Sequence, residues 1–156
     1  MAKPSAAKAI LIGGLIAGAF DITYACVFFG LRNQVSPIRI FQSVARGALG
    51  NGAFQGGYKT AALGLFFHFL IALIAATVYF IASRILRFMV THPIVCGILY
   101  GACVYFFMYG IVMRYSAIHN LLYPWQYPWA VLVPNLLIHM LGIGLPIALA
   151  TRRYSK

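Results

Sequence analysis

One carboxylate stands in the middle of an apolar run. Asp21 interrupts the stretch from Ala9 to Leu31 and is the only acidic residue in a chain of 156. About 20 apolar residues at a rise of 1.5 Å each cross the roughly 30 Å hydrocarbon layer of a bilayer, so the stretch reads as a membrane-spanning helix. Its small residues recur at helical spacing: Ala9, Gly13, Ala17, then Asp21, then Ala25, with Gly14 and Gly18 forming a G-x-x-x-G beside them. Small residues let helices approach closely in lipid. Asp21 is therefore expected to face protein.

Composition settles the class. Hydrophobic residues make up 63% of the chain and charged residues 8%, against about 25% charged in soluble domains. Such a chain cannot cover itself with a charged surface, so it reads as an integral membrane protein. The net charge of +11 comes from 12 Lys and Arg against one acid. These cations sit at the ends of apolar runs, where they flank spans and attract anionic headgroups. They form no stripe with base-reading residues beside it, which excludes nucleic acid as a partner. Cys26, Cys96 and Cys103 lie inside apolar runs, form no C-x-x-C, and read as small packing residues.

The expected fold is all-α, with four transmembrane helices at about 9–31, 60–82, 93–113 and 129–150 and an amphipathic interfacial helix at about 37–49. Lys3 and Lys8 before an apolar run resemble a signal peptide, but the run is too long and holds Asp21, so the first span is expected to be retained. Ser36 suits an N-cap and Pro37 the first helical position of the interfacial segment. Phe41, Val44, Ala45 and Ala48 fall on its apolar face; Arg39, Gln42, Ser43 and Arg46 fall on the other. Arg39, Arg46 and Lys59 are candidate lipid-headgroup contacts. The glycines from Gly47 to Gly57 lack phosphate-loop spacing and read as flexible chain folding back toward the bilayer. Val90 to His92 reads as a turn. Tyr115, Tyr123, Trp125, Tyr127 and Trp129 anchor at headgroup level.

The second span carries a stripe of Ala61, Gly64, His68, Ala72 and Ala75. The third carries Gly97 and Gly101 as a second G-x-x-x-G, continued by Tyr105 and Met108. The fourth aligns Asn135, His139, Gly142 and Pro146, with Pro134 bending its first turns. The sequence repeats faintly: Gly14–Ala19 resembles Gly97–Ala102, and His68 matches His139 in apolar surroundings. One domain is expected, as a possible tandem of two helical hairpins, 9–82 and 93–150. With the termini inside, seven basic residues lie on the inner side (Lys3, Lys8, Arg84, Arg87, Arg152, Arg153, Lys156) and five on the outer. This favours cytoplasmic termini.

Depth counting places Asp21 and His139 near the midplane, with His68 and Asn135 within about one helical turn of it. A buried polar cluster of Asp21, His68, Tyr105, Asn135 and His139 is expected. Ionisable groups at this depth are costly and call for partners. Four chemistries suit the set: interhelical hydrogen bonding, a proton or ion relay, haem ligation by His68 and His139, or metal binding by those histidines with Asp21. His92 and His119 lie at span ends and read as solvated. Ser43, Ser83 and Ser116 lie away from the histidines, and no H-E-x-x-H or G-x-S-x-G occurs, so no enzymatic motif is present.

Three stretches carry a family likeness: Gly13 to Asp21, Ala53 to Gly57 and Leu63 to His68. Together they resemble the YagU-like group of small bacterial multi-pass inner-membrane proteins. The resemblance implies an inner-membrane location and a loose link with acid tolerance, and lends weight to a proton-related role for Asp21 and His68. It supplies no catalytic residues. The two G-x-x-x-G faces and the basic interfacial helix suggest a structural or accessory subunit, in a homo-oligomer or a larger membrane complex. Proton passage and haem or metal binding are the alternatives.

Overall fold

The computed structural model describes residues 5–119 and 122–155, and every regular element among them is helical. Lys3 and Lys156, two of the cations assigned to the terminal side, lie outside the described residues. Four helical segments are long and apolar enough to cross a membrane: Ala6–Asn33, Gly57–Ile85, Pro93–Tyr115 and Trp129–Tyr154. The chain is a small multi-pass integral membrane protein. The first span is α1 (Ala6–Asn33) and the second is α3 (Gly57–Ile85), both continuous. Between them lie α2 (Pro37–Leu49) and a 3-10 turn, Gly50–Gln55. A short α4 (Phe88–Thr91) precedes the third span. That span begins as α5 (Pro93–Phe107), widens at Met108–Val112 and ends as α6 (Met113–Tyr115). The fourth is α7 (Trp129–Ile138), a second wide segment His139–Gly144, and α8 (Leu145–Tyr154). The wide segments carry i→i+5 bonds, such as Leu145 N–H to the Met140 carbonyl. The second runs up to Pro146, which has no N–H to offer an ordinary helical bond.

Glycine decides the packing. A methyl on Gly14 would meet Leu73, and one on Gly18 would meet the Phe69 ring, so α1 lies against α3. Gly13 backs onto Ile147 and Ala150, which seats the other side of α1 on α8. Gly97 and Gly101 lie against Gly144, Ala148 and the backbone of His139 and Met140, so α5 lies on the fourth span. The second and third spans meet through side chains: the Tyr100 hydroxyl donates to the Ala75 carbonyl at 2.7 Å, and the Tyr79 and Tyr100 rings stand 5.0 Å apart.

The half of the bundle near the termini is closed. Ala17, Ala76, Tyr79, Met89, Ile143, Ile147 and Ala148 form one buried core. The Tyr79 hydroxyl donates to the Met89 carbonyl at 3.1 Å, and Ser5 N–H donates to the Tyr154 carbonyl at 2.9 Å, tying the start of α1 to the end of α8. Large apolar side chains such as Leu15, Phe66, Ile74, Leu99 and Phe106 point outward. In a bilayer they form the lipid-facing belt.

The interfacial helix departs from its expected orientation. Ser36 caps it as anticipated, accepting from the Arg39 N–H at 3.4 Å. The buried face, however, is Ile40, Gln42 and Ala45, while Ala48 is exposed. The reason is contact with α3. Gly64 presents bare backbone to Phe41 and Ala45, and the Gln42 amide donates to the Gly57 carbonyl at 3.0 Å. A glutamine assigned to water thus anchors α2 to the second span. The glycine-rich stretch that follows is an ordered turn rather than flexible chain, held by Thr60 Oγ1 donating to the Ala53 carbonyl at 2.7 Å. Thr91 and its neighbours form α4 where a plain turn was expected, because Met89 is buried under Tyr79. Cys103 faces outward rather than into the packing.

Candidate functional site

The small-residue stripes of three spans converge, and they carry their polar residues with them. His68 Nδ1 lies 4.0 Å from Asp21 Oδ2, and His139 Nδ1 lies 3.9 Å from Asp21 Oδ1. The side chains are largely enclosed: 21% exposed for Asp21, 12% for His68 and 9% for His139. Each carboxylate oxygen thus faces a different imidazole, one from the second span and one from the fourth.

At these distances neither contact is a hydrogen bond, and each histidine has a carbonyl partner. His68 Nε2–H donates to the Gly18 carbonyl at 2.8 Å, across the α1–α3 seam. His139 Nδ1–H donates to the Asn135 carbonyl at 2.8 Å, one turn back in its own helix. These are the tautomers the carbonyl partners require. They leave His68 Nδ1 turned toward Asp21. Among the described residues, none forms a hydrogen bond with the Asp21 carboxylate.

Asn135 lines the open space beside this group, and Tyr105 stands behind it. The Asn135 amide donates to the Val131 carbonyl at 2.7 Å, within its own helix. Tyr105 is buried, with its ring edge-on to His139 at 5.2 Å. The third span reaches the open space with Val104 and Tyr109 instead. Tyr109 packs 4.7 Å from Tyr105 and edge-on to Tyr127 at 6.0 Å. Tyr127 lies outside the spans, and burial pushes its phenol above the usual range. Tyr24, one turn from Asp21 on the same face, has a buried hydroxyl with no partner. Its spacing of three from Asp21 was the available signal.

A cavity of about 490 Å³ starts at this group. Asp21, His68 and His139 line its floor, with Ile22, Ile71 and Val104 among its walls. It extends to α2 and reaches the exposed Arg39 and Ser43. Its lining stops at Ala17, Ala75 and Ile143, below which Ala76, Tyr79 and Ile147 are packed. The cavity is blind at the terminal side.

The candidate headgroup contacts divide. Arg39 and Lys59 are exposed at the interfacial level. Arg39 also lies over the Phe54 ring at 4.3 Å. Arg46 is half-buried on the other side, 5.9 Å from that ring, and its Nε has no partner. Lipid contact through Arg46 is therefore restricted by the turn that covers it.

The site does not suit a metal ion. Among the described residues no group of three or more His, Cys, Asp or Glu side chains is arranged to hold one. The expected set of Asp21, His68 and His139 is brought together, but His68 Nε2 and His139 Nδ1 are bonded to the Gly18 and Asn135 carbonyls and would have to leave them to ligate. Ligation of haem by His68 through Nε2 would likewise have to break the bond to Gly18. No family model matches this chain, and neither a curated protein nor a solved structure matches it.

Proposed function

We propose that this protein binds a small, largely apolar molecule inside the membrane, in the cavity that ends at Asp21. The observation that carries this reading is the blind cavity itself: space of about 490 Å³, within the ~300–1,000 Å³ range of small-molecule pockets, with apolar walls and a few convergent polar groups. The closed terminal half supports binding over continuous proton passage, since Tyr79 and Ile147 fill the route beyond Ala17. The accessory-subunit reading drew on two G-x-x-x-G faces. Both pairs of glycines are occupied by packing inside the chain, so that motive for an outside partner is gone.

The setting we propose is a bacterial inner membrane with cytoplasmic termini, on the balance of basic residues and the YagU-like resemblance. Arg39 and Lys59 would then meet anionic headgroups at the opposite face. The test is native mass spectrometry of protein extracted in mild detergent, comparing wild type with Val104→Trp, which fills the cavity. A small molecule retained by wild type and absent from the variant is the expected result. Equal retention, or none, by both proteins would refute binding at this place.

A further inference from the structure

If the cavity takes a ligand, as proposed above, its floor sets the ligand's charge. Two carboxylate oxygens of Asp21 stand there with no hydrogen bond to them among the described residues, and His68 Nδ1 lies 4.0 Å from Oδ2. The N–H groups of His68 Nε2 and His139 Nδ1 are given to the Gly18 and Asn135 carbonyls rather than to the carboxylate. The buried Tyr24 hydroxyl beside it also lacks a partner. The 12 Lys and Arg of the chain could neutralise Asp21, but those described lie toward the ends of the spans or in the connections. The one at the cavity, Arg39, stands at the far end on α2.

A carboxylate without a hydrogen bond at the bottom of an apolar shaft is complementary to one kind of molecule. It must bring N–H donors, carry a single positive charge and be otherwise apolar. An anion would meet the carboxylate, and a neutral acceptor would leave the carboxylate without a donor. Tyr24 and Tyr109 line the same space, and aromatic rings attract a cation through their quadrupoles. We infer that the ligand is an apolar amine, bound as its ammonium ion, with Asp21 as counter-ion and the Tyr24 hydroxyl oxygen as a further acceptor. The mouth fits this polarity: Arg39 lies at the opposite end from the ammonium.

The test uses three probes of one shape on the purified full chain in mild detergent: 4-phenylbutylamine, 4-phenylbutanol and 4-phenylbutyrate. Binding is read by calorimetry as heat lost in the cavity-filled Val104→Trp protein, which removes the micelle's contribution. The amine is expected to bind at least about 10-fold tighter than the alcohol, the scale of one charge-assisted hydrogen bond, with no binding of the acid. Asp21→Asn is expected to abolish that preference while keeping the alcohol's affinity, and Tyr24→Phe to weaken the amine alone by a few-fold. Tyr24→Phe keeps the inference testable should Asp21→Asn not fold. Equal binding of amine and alcohol overturns the amine assignment and leaves the pocket standing. Absence of all three probes from wild type overturns both.

Discussion

The two helical hairpins place the same parts differently. In each, the G-x-x-x-G of the leading span lies against the span that follows, and a histidine of that following span comes within about 4 Å of Asp21. The motif register sets Val104 three residues after Gly101, as Asp21 stands three after Gly18, and both line the cavity. One hairpin supplies the charge and the other an apolar wall at the matching position. Their seams differ as well. Gly18 meets the Phe69 ring, a side chain that can move. Gly101 and Gly144 meet backbone, that of His139 and Met140 and that of Gly97. Both spans of the second hairpin also widen to i→i+5 turns, which the first hairpin lacks. Turns of that kind cluster at functional sites, and here one begins at His139. The hairpin with the charge has the softer seam.

The largest effect should fall on the harder seam. Gly144→Ala or Gly101→Ala sets a methyl against backbone, and a loss above about 3 kcal/mol is expected, at the upper end of overpacking costs. Gly18→Ala should cost nearer ~1 kcal/mol because Phe69 can yield. Unfolding in mixed micelles with rising SDS measures both, and equal costs would erase the distinction between the seams. Next comes a transplant of the charge. Asp21→Asn should lower amine affinity about 10-fold or more, and adding Val104→Asp should recover part of it. No recovery would mean that the two positions are not equivalent toward the cavity.

Smaller effects separate the anchored parts from the open ones. Gln42→Ala removes the tie between α2 and the Gly57 carbonyl and should cost ~1 kcal/mol, the usual net worth of one such bond. Hydrogen exchange should then rise in α2 before it rises in α3. Smallest is a pair of tyrosines. Tyr79→Phe loses the bond to the Met89 carbonyl and should cost about 1 kcal/mol. Tyr24→Phe removes a buried hydroxyl with no partner and should leave the empty protein unchanged or slightly more stable. A clear loss for Tyr24→Phe would show that its hydroxyl is bonded in the resting protein.

Much of this was legible beforehand for physical reasons. Helices that cross a bilayer must satisfy their backbone internally and be apolar over a known length. The four spans accordingly end within four residues of their expected boundaries. The meeting of Asp21 with His68 and His139 was legible because each lies on a stripe of small residues, and such stripes pack together. What was misjudged depended on neighbours. Tyr105 packs against His139, but it is Val104 and Tyr109, not singled out beforehand, that line the cavity. Gln42 was assigned to water because α2 alone shows only its own amphipathicity, whereas the bare backbone of Gly64 offers it a seat.

The amino-acid order alone determined the spans, the depth of the lone acid and the absence of any Lys or Arg at that depth, since hydrophobic length and position along a helix are properties of the chain. The tertiary structure decided that both glycine motifs are used internally and that His68 and His139 give their protons to carbonyls. It also decided that the bundle is filled on one side of Asp21 and hollow on the other. Those outcomes depend on which helices become neighbours and at what rotation. Close packing sets both through contacts between residues far apart in the chain.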